Sequence, residues 1–188
     1  MPGEDRTEVT TLTQLIANAD LSAEAFILQA PEGYKITKFK GFGKSSPALS
    51  IGETAPDWVL FDSRGRRYSL SDFQGKIVIV DFWATWCVPC IKAMPSLQKV
   101  HDRFANKGVV VLGINTWDSG DPEKFMRDKG FSYPLLVNGD EVAKKYKVNG
   151  LPTLYVIGPD KTILFAEVGT RSDTFEKVTQ VIEENLAK

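Results

Sequence analysis

From about residue 50 onward, hydrophobic and polar positions fall into short, well-punctuated segments. Ala55-Pro56-Asp57-Trp58-Val59-Leu60-Phe61 reads as extended chain, Asp62-Ser63-Arg64-Gly65 as a turn, and Arg67-Tyr68-Ser69-Leu70 as the second strand of a hairpin. Ile77-Val78-Ile79-Val80-Asp81-Phe82 is a nearly unbroken β-branched run, the pattern of a strand buried on both faces. A helical stretch follows to about Lys107. Val100 and Phe104 lie four apart on one of its faces, and Gly108 is its stop. Val109-Val110-Val111-Leu112-Gly113-Ile114 predicts a second buried strand. Asp121-Pro122-Glu123 supplies an N-cap, a first-turn proline and a first-turn acid, and Gly130 ends that helix. Tyr133-Pro134-Leu135-Leu136-Val137 predicts a short strand, with its proline at the strand start or on a sheet edge. Residues 140–146 predict a short helix. Strands at 153–157 and 163–168 are joined by the turn Gly158-Pro159-Asp160-Lys161. In the last helix Ser172 or Asp173 is the cap, and Phe175, Val178, Ile182 and Leu186 share one face.

This order of elements gives an α/β layer fold, a mixed central sheet flanked by helices with a β-hairpin before it. Residues 1–49 read differently. Leu12, Leu15, Ile16 and Ala19 fit one face of a short helix, and Pro31-Glu32-Gly33 is a turn. Gly41, Gly43, Ser45, Ser46 and Pro47 resemble a linker. Two readings stay open for this stretch, an arm packed on the main domain or the remnant of an upstream domain plus linker. The main domain is residues 50–188.

Composition narrows the function classes. The 23 Lys and Arg against 24 Asp and Glu leave a net charge of −1, which argues against a dominant nucleic-acid footprint. No apolar run nears the ~20 residues of a membrane span. The first thirty residues lack a basic start followed by a long apolar stretch, so no secretory signal is visible. An exported protein with this start would be a mature or shortened form.

The chemistry sits in the two cysteines, Cys87 and Cys90. A bridge across four residues closes too small a loop to staple a domain. A structural zinc site needs four Cys or His ligands, and the sequence offers only His101 as a third. No metal and no cofactor are therefore expected. The bland alternative is a coincidental buried pair, but Cys-x-x-Cys directly after a strand is a strong redox signal. Cys87 falls near a helix N-terminus, where unpaired N–H groups and the positive end of the dipole favour an anion. Its thiolate is thereby stabilised, which makes it the attacking sulfur. Cys90, one helical turn later, is within reach to resolve a mixed disulfide. Pro89 fixes φ early in the helix, where its missing N–H costs least.

The run Val80-Asp81-Phe82-Trp83-Ala84-Thr85-Trp86-Cys87-Val88-Pro89-Cys90, with Pro95 five residues further on, resembles thioredoxin-fold disulfide oxidoreductases. Trp-Cys-Val-Pro-Cys, and Gly52-Glu53-Thr54-Ala55-Pro56-Asp57 at the start of the domain, look most like their TlpA/ResA-like branch. The resemblance covers residues 50–188. It implies a thioredoxin fold, a Cys87–Cys90 dithiol that cycles with its disulfide, and export across a bacterial inner membrane, with tethering in the full-length protein or a neighbouring domain. The implied partners are protein disulfide or dithiol substrates and an upstream electron-donor thiol protein. Gly150-Leu151-Pro152-Thr153, just before a strand, matches the family's cis-proline loop, which would offer the Leu151 backbone to an extended substrate. An ordinary trans turn proline is the alternative. Asp81 matches the buried acid of cytoplasmic-type thioredoxins, a proton acceptor for Cys90. Its alternative is a strand-end carboxylate capped by backbone N–H groups. Two departures stand out. The acid common in the ResA-like branch three residues after the second cysteine is Ala93 here, and the thioredoxin lysine beside the buried acid falls at Gly113.

Trp86, Val88 and Pro89 flank the cysteines as candidate substrate contacts, together with Leu151 and Pro152. Trp83 reads as core, and Trp117 either shapes the groove or packs. His101 reads as a solvated helix residue, and Lys144-Lys145-Tyr146-Lys147 as a solvated helix face. The expected activity is thiol–disulfide exchange, in the direction of reducing protein disulfides. One rival is a peroxiredoxin-like peroxidase, whose Pro-x-x-x-Thr-x-x-Cys arrangement is lacking because no proline precedes Cys87 at the matching place. The other is a non-enzymatic binding module whose cysteines sense redox state.

Overall fold

A computed structural model describes residues 49–186, so the helix and linker expected within residues 1–48 lie outside the described residues. A hairpin, β1 (Val59–Phe61) and β2 (Arg67–Ser69), comes first and is followed by a single 3₁₀ turn, Leu70–Phe73. Then come β3 (Ile77–Trp83), α1 (Val88–Phe104), β4 (Val109–Asn115), α2 (Pro122–Lys129), β5 (Leu135–Leu136), α3 (Asp140–Lys145), β6 (Thr153–Ile157), β7 (Ile163–Val168) and α4 (Thr174–Leu186). The large sheet has the order β5-β4-β3-β6-β7. β4 runs parallel to β3 and to β5, whereas β6 is antiparallel to β3 and to β7. This is a thioredoxin fold, with the mixed sheet, flanking helices and preceding hairpin that the sequence pattern implies.

β3 is buried at all seven positions because both faces of the sheet are covered. Successive side chains of a strand point to opposite faces. Val78, Val80 and Phe82 enter one core with Trp58 and Leu60 of the hairpin region and Val142, Ala143 and Tyr146 of the α3 region. Ile77, Ile79 and Trp83 enter the other, with Met94, Leu97, Val100 and Phe104 of α1 and Val178 and Ile182 of α4. Asp81 takes the odd position between Ile79 and Trp83. It therefore projects towards α1, the helix that carries the cysteines.

Local signals explain most boundaries. Asp121 caps α2 by accepting the Lys124 N–H at 2.8 Å, Pro122 opens the helix, and Gly130 closes it in the left-handed conformation at φ 75°. Proline 134 precedes β5, which forms the sheet edge. α1 ends at Phe104, short of Lys107, and the chain reaches Gly108 at φ 76° through a further turn. In α4, Val178 and Ile182 are fully buried, but Leu186 is 39% exposed as the helix runs off the sheet. Leu49 is already part of the core. Its N–H donates to the Tyr155 hydroxyl at 3.1 Å, and that hydroxyl donates to the Tyr146 carbonyl at 2.6 Å.

Candidate functional site

β3 delivers the chain to a short loop, and Cys87 stands at the N-cap of α1 with extended backbone (φ −81°, ψ 94°). The Cys87 N–H donates to the Ala84 carbonyl at 3.1 Å, and the Cys87 carbonyl accepts the Ile91 N–H at 3.1 Å. Its Sγ accepts the Cys90 N–H at 3.2 Å, so a sulfur fills the capping role usually held by a side-chain oxygen. Pro89 lies in the first turn, where no hydrogen bond is lost. The two sulfurs are joined by a disulfide, with 5.3 Å between the Cα atoms. Cys90 is fully buried and Cys87 is 3% exposed. When the bond opens, a negative charge on Cys87 faces the unpaired N–H groups and the positive dipole end of α1.

Apolar surface surrounds the pair. Trp86 and Val88 are 59% and 60% exposed, and Pro89 is exposed beside them. The Leu151–Pro152 peptide is cis. Leu151 is half-buried against the cluster that contains both cysteines, and Pro152 is buried. The Gly169 N–H donates to the Pro152 carbonyl at 2.7 Å, and the Thr153 hydroxyl donates to the Gly150 carbonyl at 2.7 Å. These bonds fix the loop at the start of β6.

Asp81 is 1% exposed, and its Oδ2 has no hydrogen-bond partner. Burial pushes its carboxyl up to about 7, because a carboxylate in an apolar core loses its hydration. No ordinary strand-end cap of N–H groups reaches that oxygen. The register sets Gly113 beside Asp81 on β4 and Leu154 beside it on β6, so no lysine neighbours the acid. Ala93 is buried in α1.

A polar strap behind the cysteine loop has no counterpart in the pattern of the chain. Asp118, in the loop after β4, accepts the Thr85 N–H at 2.6 Å and the Thr85 hydroxyl at 2.7 Å. Asn115 donates to it at 2.7 Å, and the Gly120 N–H at 2.9 Å. The Trp86 indole N–H donates to the Trp117 carbonyl at 2.8 Å. Trp117 has a left-handed backbone (φ 52°), unusual for a bulky residue. Asp140, the first residue of α3, holds it there by accepting the Trp117 N–H and the Thr116 hydroxyl, each at 2.8 Å. The composition Asp118-Ser119-Gly120 marks a turn, but nothing in it points back to Thr85.

His101 departs from the solvated reading. It is half-buried, its Nδ1 is buried without a partner, and its ring meets Tyr133 edge-on at 6.4 Å. The cause is the position of Tyr133, whose ring lies 2% exposed under α1. Trp83 is fully buried, whereas Trp117 is 38% exposed and lines the loop rather than the core.

Comparison with known proteins points one way. Residues 51–166 match the model of the AhpC/TSA family. The chain is 35% identical over 162 residues to the thiol-disulfide oxidoreductase ResA of Geobacillus thermodenitrificans, covering 84% of this chain and 89% of that one. To ResA of Bacillus subtilis it is 35% identical over 144 residues, 76% and 79% of the two chains. The thioredoxin domain of a thiol-disulfide oxidoreductase from Bacteroides vulgatus superposes with a TM-score of 0.64 at 28% identity, covering 72% of this chain and 99% of that domain.

Proposed function

The chain belongs to the AhpC/TSA family and is a thiol-disulfide oxidoreductase, and from that premise we propose that it reduces protein disulfides, with Cys87 attacking, Cys90 resolving and Asp81 accepting a proton. The observation that carries this reading is the capping geometry. Cys87 Sγ sits at the N-terminus of α1 and accepts the Cys90 N–H, while Cys90 lies buried directly behind it. Charge on the outer sulfur is stabilised, and charge on the inner one is not.

The Cys87 thiolate attacks one sulfur of a substrate disulfide. A mixed disulfide forms, and the other substrate sulfur leaves as a thiolate that takes a proton from water. Cys90 then loses its proton to the Asp81 carboxylate and attacks Cys87 Sγ. The Cys87–Cys90 bond forms, and the second substrate sulfur departs. Two electrons have passed from the dithiol to the substrate. A donor thiol protein upstream restores the pair by the reverse exchange. Trp86, Val88 and Pro89 form an apolar rim for the incoming chain, and the Leu151 backbone, presented by the Pro152 loop, is its extended pairing edge.

The setting we propose is extracytoplasmic, a periplasmic thiol pool in which this domain is membrane-tethered in the full-length protein. Cytochrome c maturation and general thiol upkeep are the two uses that such a setting offers it. No helix among the described residues is long and apolar enough to cross a membrane. Support for the compartment comes from the similarity to ResA.

Cys87→Ser is expected to abolish reduction of insulin disulfides, and Cys90→Ala to hold substrates on Cys87 as mixed disulfides. Full activity of Cys87→Ser would falsify the reading. Rapid consumption of hydrogen peroxide by the dithiol would favour the peroxidase alternative instead.

A further inference from the structure

Two buried polar groups without partners, from Trp83 and Tyr133, gather near the unpartnered carboxyl of Asp81. Asp81 Oδ2, Trp83 Nε1 and Tyr133 Oη each lack a hydrogen bond, and the three residues are 1%, 0% and 2% exposed. A buried donor or acceptor left unpaired is costly, so the three together call for a reason. The sheet register brings them to one place. Gly113 is the β4 neighbour of Asp81. A Cβ at Gly113 would lie 3.0 Å from Trp83 Nε1 and 3.0 Å from Tyr133 Cε2, the ring carbon next to the one that bears the hydroxyl. The indole N–H and the phenol thus occupy the space that any side chain at residue 113 would fill.

Packing holds both rings there. Trp83 stacks at a tilt on Phe125 at 5.7 Å, and Tyr133 packs against Phe131 at 6.2 Å and His101 at 6.4 Å. Little else polar faces the acid. β6 offers Leu154, α2 offers Phe125 and Met126, and α4 offers Val178 and Ile182. From α1 come the bonded Cys87 and Cys90, and His101, whose ring meets Tyr133 edge-on and whose Nδ1 is buried without a partner. On β7, Glu167 pairs across from Leu154 and is engaged by the Thr174 hydroxyl at 2.8 Å and by Arg171 at 3.3 Å. Trp83 N–H and Tyr133 O–H are thus unpaired donors on the same face of the sheet as the carboxyl, grouped around its β4 neighbour Gly113. Burial, and then the charge of Asp81, push the Tyr133 phenol up, so it stays a neutral donor.

We propose that Tyr133, assisted by Trp83, is a positioning residue for disulfide exchange: its hydroxyl supplies the hydrogen bond that Asp81 needs as a carboxylate to take the proton of Cys90. This rests on Asp81 being the proton acceptor. A hydrogen bond to a carboxylate is about twice as strong as one to a neutral acid, so the donors favour the state that can act as base. The indole only donates. The phenol both donates and accepts, so it also serves the protonated acid by accepting from it.

The test is the pH dependence of the resolving step in wild type, Tyr133→Phe, Trp83→Phe, Asp81→Asn and the Tyr133→Phe/Asp81→Asn double variant, with the Asp81 carboxyl titrated by carbon NMR. Loss of one hydrogen bond of ordinary net strength corresponds to about three- to tenfold. Tyr133→Phe is expected to slow resolution by that factor at pH 7, to match wild type at pH 9, and to move the Asp81 midpoint upward. Trp83→Phe moves it the same way. In the Asp81→Asn background Tyr133→Phe has no further effect. An unmoved Asp81 midpoint in Tyr133→Phe, or an equal loss with and without Asp81, overturns the role of Tyr133 and leaves that of Asp81 standing. An unchanged pH profile in Asp81→Asn removes both.

Discussion

The Asp118 carboxylate grips Thr85 at two points, the backbone N–H at 2.6 Å and the hydroxyl at 2.7 Å. Thr85 lies two residues before Cys87, so the loop after β4 is tied to the loop that presents that cysteine. Partial burial acts to raise the Asp118 carboxyl, but the bonds from Asn115, Thr85 and Gly120 outweigh it and hold the group below the usual carboxylate range.

Asp118→Ala should therefore loosen the cysteine loop. We expect a loss of stability of about 1–3 kcal/mol at neutral pH from the unpaired donors. A group held low contributes above its ordinary value of 3.8 and loses that contribution as pH falls through its folded value. The gap between variant and wild type should thus narrow in acid, as read by urea unfolding from pH 7 to pH 3. Insulin reduction should fall several-fold, because misplacing a reacting group is costly. Gly120→Ala should act in the same direction, since a Cβ there would lie 2.4 Å from Thr85 Oγ1. A gap that stays constant in acid would show that the Asp118 charge is not what holds the loop.

Asp81→Asn should make the oxidised protein more stable, with a specific pH signature. The folded acid titrates at about 7, and the unfolded one near 3.8. Between those values only the unfolded chain releases the proton, so wild-type stability falls as pH rises from about 4 to about 7 and then levels. At 1.36 kcal/mol per pH unit the full span is ~4 kcal/mol. The asparagine variant escapes that loss. Its advantage should approach this value at pH 8 and vanish near pH 4, while its resolving step slows. An advantage independent of pH would mean that the acid does not ionise in this window.

Trp86→Ala should separate large substrates from small ones. Trp86 is 59% exposed and anchored by its N–H to the Trp117 carbonyl. Its loss removes apolar contact area without touching either sulfur. KM for a protein disulfide should rise several-fold, and reaction with a small aromatic disulfide should change less than twofold. Equal losses with both would assign Trp86 to the shape of the loop instead.

The sequence makes some of this legible and hides the rest for definite reasons. The runs at 77–82 and 109–114 show their strands because burial on both faces leaves no polar alternation. Asp121, Pro122 and Gly130 mark α2 because caps act within one turn. Cys87 and Cys90 announce a redox pair at the same short range. Asp118 and Thr85 are 33 residues apart and bond across two loops, which no periodicity records. Tyr133 belongs to the same class. It reads as the start of an edge strand, and only the β3–β4 register with Gly113 places its ring beside Asp81. His101 reads as a surface residue for the same reason, since its neighbour arrives from outside the helix.

One bond reaches further than the catalytic step. The amide of Cys90 closes the first turn of α1 onto sulfur, and in the proposed cycle that sulfur is the atom whose charge changes with every turnover. A thiolate is a better acceptor than a disulfide sulfur, so gaining electrons tightens the end of the helix and losing them relaxes it. The oxidation state is thereby transcribed into local breathing. Deuterium uptake at the Cys90 amide should be slower in the reduced enzyme above the pH at which Cys87 ionises, which gives a partner protein a mechanical difference to read.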